Sequence, residues 1–115
     1  MTELAKKHCE ACTGGTPRLT DDQVRAMMPE IPGWDIQNGK LVRDVKLKNF
    51  KGALALANQI GDLAEDENHH PDIHIHDWNH VRVELVTHSI GGLSENDAIM
   101  AAKITGLINR TAGVE

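Results

Sequence analysis

The sequence predicts an α+β two-layer sandwich, a four-stranded antiparallel sheet with three helices on one face, in the order α-β-β-α-β-β-α. Three observations carry this. Apolar residues recur at helical spacing in three separate stretches, near 20–28, 50–64 and 95–108. Between them lie two stretches of period-two alternation, each broken by a turn. A chain of 115 residues leaves room for one domain and one core, burying roughly two-thirds of the unfolded surface.

The organised chain begins at Leu19, after a polar segment. Thr20 and Gln23 fit a capping box, and Asp21 and Asp22 favour the positive end of a helix dipole. Val24, Met27 and Met28 give this short helix an apolar stripe, and Pro29 and Pro32 end it. Trp34 to Gln37, then Asn38-Gly39, then Leu41 to Leu47 form a hairpin, because Asn-Gly supplies the positive φ of a tight type I′ turn. Leu41, Arg43, Val45 and Leu47 share one face, and Arg43 reads as an edge residue there.

Phe50, Ala53, Leu54, Ala57, Ile60, Leu63 and Ala64 mark the longest helix. Pro71 keeps His70 out of the α region, so that helix stops near His69. His69 and His70 then stand just past a helix C-terminus, where the dipole and Glu65, Asp66 and Glu67 favour a proton donor.

Ile73 and Ile75, then Val81, Val83 and Leu85, alternate with polar residues as two antiparallel strands joined near Trp78. Two registers keep the apolar residues on one face. Pairing Ile75 with Val83 places His88 opposite His70; pairing Ile75 with Val81 places it opposite Asn68. Ser94 and Asp97 cap the last helix, whose apolar side runs through Ala98, Ile99, Ala102, Leu107 and Ile108. One sheet face, bearing His74, His76, Arg82, Glu84 and His88, is left without helical cover.

Composition excludes several classes of function. A net charge of −5, with scattered Lys and Arg, argues against nucleic acid and anionic membranes as partners. No apolar run approaches the ~20 residues of a membrane span, and the polar N-terminus points to a cytoplasmic protein. Cys9 and Cys12 form a CxxC with only His8 nearby, which reads as a surface thiol pair within a flexible tail over 1–18, the domain occupying 19–115.

Six of the seven histidines fall between Glu65 and Asp97. Histidine titrates near neutrality, so such a cluster serves proton transfer or metal ligation. The run of Glu65, His69-His70-Pro71, Trp78, His88 and Asp97, followed by the helix after Gly91-Gly92-Leu93-Ser94, resembles the signature of the pterin-4a-carbinolamine dehydratase family from about Thr20 to the C-terminus.

The resemblance implies the same two-layer architecture and dehydration of 4a-hydroxytetrahydropterin to quinonoid dihydropterin, which recycles tetrahydropterin for aromatic amino acid hydroxylases. It implies His69, His70 and His88 as catalytic residues, Glu65, Trp78 and Asp97 as substrate-binding ones, no metal, no organic cofactor, and a homodimer or homotetramer. Some animal members also bind a transcription factor; no residue of this sequence carries that over. The alternative is a histidine-based metal-binding module, with His74, His76, Glu84 and His88 as a cupin-like ligand set.

Overall fold

The computed structural model describes residues 3–9 and 17–114. Helix α1 spans Asp21–Met27, strands β1 and β2 Asp35–Gln37 and Lys40–Lys46, helix α2 Phe50–Glu67, strands β3 and β4 Asp72–His76 and His80–Leu85, and helix α3 Glu95–Arg110. Short 3₁₀ turns occupy Glu3–Lys6, Met28–Glu30 and His88–Ile90. The four strands form one antiparallel sheet in the order β1-β2-β4-β3, and the three helices and this open sheet make the α+β sandwich the sequence predicts.

Local signals set most of these boundaries. Thr20 caps α1 through the predicted box with Gln23. Asn38 and Gly39 both have positive φ, and Gln37 pairs with Lys40, which is the two-residue hairpin that Asn-Gly favours. Asn68 ends α2 in the left-handed conformation, with φ of 52° and its N–H bonded to the Ala64 carbonyl.

The core lies between the sheet and the two long helices. Leu41, Val45, Val81, Val83 and Leu85 point into it from the sheet, Ala53, Leu56 and Ile60 from α2, and Ile99, Met100 and Ile104 from α3. Each fully buried aliphatic side chain contributes about 1.5–3 kcal/mol of hydrophobic stabilisation. The α2 stripe differs from the sequence reading: Phe50 and Leu54 are exposed, while Leu56 is fully buried. The buried line runs Ala53, Leu56, Ile60, Ala64, Glu67, so the outer two apolar residues fall off its edge.

Two further expectations are corrected. Arg43 does not sit on an edge strand, since β2 pairs with both β1 and β4. Its guanidinium donates to the Thr105 hydroxyl at 3.4 Å, and the Trp34 indole N–H donates to the same oxygen at 2.9 Å. The N-terminal segment, read as lying outside core and motif, contributes Leu4 to the core. Cys9 N–H donates to Glu67 Oε1 at 2.7 Å, and His8 Nδ1 lies 2.9 Å from Glu67 Oε2. Of the CxxC only Cys9 is described; Cys12 and linker positions 13–16 lie outside the described residues.

Candidate active site

The β3–β4 register pairs Ile73 with Val83 and Ile75 with Val81. It is the second of the two registers open to the sequence. Because α2 ends at Glu67 and β3 starts at Asp72, the intervening loop holds His69, His70 and Pro71 at one end of the hairpin. Strand β4 runs antiparallel and stops at Leu85, so Thr87 and His88 arrive at that same end. His88 is not on the open sheet face, as the alternation suggested, but in the 3₁₀ turn that follows the strand.

Asp97 is the centre of a closed polar network. The side chain is fully buried in the first turn of α3. Its Oδ1 lies 2.7 Å from His69 Nε2. The Thr87 hydroxyl donates to Oδ2 at 2.7 Å, and the Ser94 backbone N–H donates to the same oxygen at 2.9 Å. The Ser94 and Thr87 hydroxyls are 2.8 Å apart. A carboxylate only accepts, so His69 donates from Nε2 to it, and a neutral ring keeps its basic lone pair on Nδ1. Asp97 caps α3, as the sequence predicts, and the same buried carboxylate also meets His69, a contact the sequence did not foretell.

Gly91 and Gly92 make the geometry around Thr87 accessible. Gly91 takes φ of 63° to close the 3₁₀ turn, and the Thr87 N–H donates to the Gly92 carbonyl at 2.9 Å. A Cβ on Gly92 would run into the Arg18 side chain.

The three histidines differ in exposure. His69 is 8% exposed, whereas His70 and His88 are open to solvent. His70 Nε2 lies 2.6 Å from Glu65 Oε2, five residues earlier on the last turns of α2. Trp78 stands elsewhere. It projects from the hairpin tip, 61% exposed, with φ of 58°. Four residues of strand, about 13 Å, separate the tip pair His76–His80 from the pair Asp72–Glu84 near the histidines. Trp78 and the His69, His70 and His88 segments therefore lie at opposite ends of the hairpin.

The ligand set of the metal-binding alternative is likewise split. His74 and His76 face Glu84 and Asp44 on the open sheet face, while His88 lies beyond the other end of β4. Sequence reasoning missed Thr87, whose hydroxyl satisfies Asp97; its place directly before His88 was the available signal. Glu67, expected beside His69 and His70 at the helix end, instead turns to the Cys9 N–H and His8, where burial alone would push it up as an acid. Donation from the Cys9 N–H and from His8, with the charge of Lys103, outweighs that and holds the carboxyl below its usual range.

Comparison with known proteins places these residues in context. The family model described as pterin 4 alpha carbinolamine dehydratase matches residues 17–107. A protein of Rubrobacter xylanophilus named provisionally as a pterin-4-alpha-carbinolamine dehydratase is 40% identical over 108 residues, covering 93% of this chain and 100% of that protein. The mitochondrial pterin-4-alpha-carbinolamine dehydratase 2 of Arabidopsis thaliana is 39% identical over 112 residues, 93% of this chain and 60% of its own. A crystal structure described as a transcriptional coactivator/pterin dehydratase from Brucella melitensis superposes with a TM-score of 0.73 at 31% identity, covering 79% of this chain and 98% of that one. Among the described residues no helix is long and apolar enough to cross a membrane.

Proposed function

Because this chain belongs to the pterin 4 alpha carbinolamine dehydratase family, and is a dehydratase of that kind, we propose that it removes water from 4a-hydroxytetrahydropterin by histidine general acid and base catalysis. The C4a–O bond breaks as a proton reaches the departing hydroxyl, and N5 loses its proton as the C4a=N5 bond forms. One proton enters and one leaves, with no change of oxidation state. Imidazoles suit both transfers near neutral pH.

The observation that carries this reading is the buried Asp97 carboxylate holding His69 at 2.7 Å, beside solvent-facing His70, while Thr87, the residue directly before His88, donates to the same carboxylate at 2.7 Å. His70 and His88 are accessible to a small molecule, and His69 has its tautomer set from inside the fold. Asp97 acts as the positioning residue and Glu65 orients His70 from the helix end. Trp78 would join such a site only from a second copy. Self-association as a homodimer or homotetramer belongs to the same reading, since exposed Phe50, Leu54 and Trp78 leave apolar surface to bury. The product is a quinonoid dihydropterin, so the role is recycling of tetrahydropterin used in aromatic hydroxylation.

The test is an assay of carbinolamine dehydration under conditions where the uncatalysed reaction is slow. Acceleration by the purified chain supports the proposal; a rate equal to the buffer rate removes it.

A further inference from the structure

The tip of the β3–β4 hairpin carries a second cluster of titratable groups. One ring nitrogen of His76, a carboxylate oxygen of Asp77 and one ring nitrogen of His80 all lie within 4.8 Å of one another. His76 Nδ1 is 3.0 Å from Asp77 Oδ2, and the two imidazoles stack with centroids 5.0 Å apart. On its other side His76 Nε2 meets Asp44 Oδ2 at 2.5 Å. His80 Nδ1 is enclosed and has no hydrogen-bond partner among the described residues. A buried ring nitrogen left unpaired is unfavourable, and it asks for an occupant.

The backbone holds this cluster in place. Asp77 and Trp78 both take positive φ, curling the three-residue loop so that the Asp77 side chain returns to His76. Asn79 is buried and clamps the loop to the end of β2, with its side-chain amide donating to the Leu47 carbonyl at 2.8 Å and its carbonyl accepting from the Leu47 N–H at 2.8 Å.

We propose that His76, Asp77 and His80 bind a divalent transition-metal ion of the zinc type, with Asp44 as the outer carboxylate that fixes the ring of His76. Two imidazoles and one carboxylate match the nitrogen and oxygen donors that zinc accepts, whereas magnesium and calcium take oxygen donors and disfavour the two imidazoles. The Asp44–His76 contact is the carboxylate–histidine arrangement that orients a metal-ligating ring and leaves Nδ1 toward the ion. Three protein ligands leave a further position for water. The ion would tie the ends of β3 and β4 together and brace the loop that presents Trp78. It stands apart from His69, His70 and His88.

The test titrates the metal-stripped full-length chain with Zn²⁺ by calorimetry and with Co²⁺ by visible absorption, alongside thermal melts. Expected is one ion per chain with a rise in Tm, because an ion that binds only the folded state stabilises it. Binding is lost in His76→Ala and His80→Ala, and weakened roughly 10–100-fold in Asp44→Asn. It survives in His74→Ala and in the Cys9→Ser, Cys12→Ser chain, which removes thiol ligands. Should either alanine variant fail to fold, Asp77→Asn preserves the loop's size and replaces it in the comparison. No saturable binding above that of the His76 variant, or binding that follows the cysteines or His69, His70 and His88, overturns the proposal.

Discussion

His69 and Asp97 are joined by a 2.7 Å hydrogen bond across 28 residues of sequence, linking the end of α2 to the start of α3. The carboxylate also accepts from Thr87 and Ser94, so its removal strands buried donors. Asp97→Ala is expected to cost about 1–3 kcal/mol of stability. Asp97→Asn retains the volume but loses the enforced tautomer of His69, so kcat is expected to fall by between roughly 10-fold and 10⁴-fold, the upper end being the cost of a wrong imidazole tautomer. KM should change little. Steady-state kinetics with melts in parallel check this; an unchanged kcat in a folded Asp97→Asn chain removes Asp97 from the mechanism.

His70 and His88 are exposed and make few core contacts, so alanine at either should leave the melt nearly unchanged. Turnover should fall roughly 10²-fold or more in each, and in His69→Ala, the usual scale for losing an acid or base. The His70, His88 double variant should lose markedly less than the product of the singles, as groups acting on one transition state do. His74→Ala, on the open sheet face, is the control. A larger loss at His74 than at His88 would mean that the site lies on that face.

Glu67 ties the N-terminal segment to α2 and α3 through Cys9, His8 and Lys103. Its folded pKa is lowered, so the folded state holds its proton less tightly than the unfolded one. The stability it contributes is present above the ordinary carboxylate pKa and is lost as pH falls through the folded value. Melts of the parent and Glu67→Gln should therefore differ near neutrality and converge in acid. Deleting residues 1–9, or Leu4→Ala, is expected to lower stability by about 2 kcal/mol, the low end for a buried leucine. A deletion that melts like the parent would show that the segment is dispensable.

Turnover is expected to survive exhaustive chelation. His69, His70 and His88 are proposed as proton carriers, and a metal would occupy the lone pairs they use. Assay after EDTA checks this, and loss of turnover restored by zinc or iron would favour metal-dependent chemistry at the histidines.

Sedimentation at micromolar concentration is expected to show a species at least twice the 12.6 kDa of one chain. A single 12.6 kDa boundary would leave Trp78 without a route to the substrate.

Much of this protein was readable in its sequence because the signals are local. Thr20 with Gln23 and Ser94 with Asp97 are caps three residues apart, Asn38-Gly39 dictates its own turn, and period two against period 3.6 separates strands from helices. The signature from Glu65 to Asp97 pointed to the family in the same way. The register of β3 on β4 was narrowed to two by the apolar alternation, since a slip of one residue would turn every side chain over. Choosing between the two required the actual turn, in which Asp77 and Trp78 take positive φ without the glycine that usually announces it.

Tertiary structure alone decided the rest. Strand order placed β2 in the sheet interior and sent Arg43 to Thr105 rather than to solvent. Packing brought Leu4 into the core and Cys9 to Glu67, 58 residues away. It set the Thr87 hydroxyl on Asp97 and carried His88 off the open sheet face into the 3₁₀ turn beyond β4. Periodicity and capping are written into neighbouring residues, because they depend on a few consecutive dihedrals. Hydrogen bonds between distant side chains follow from how whole elements pack, and leave no repeating trace in the sequence.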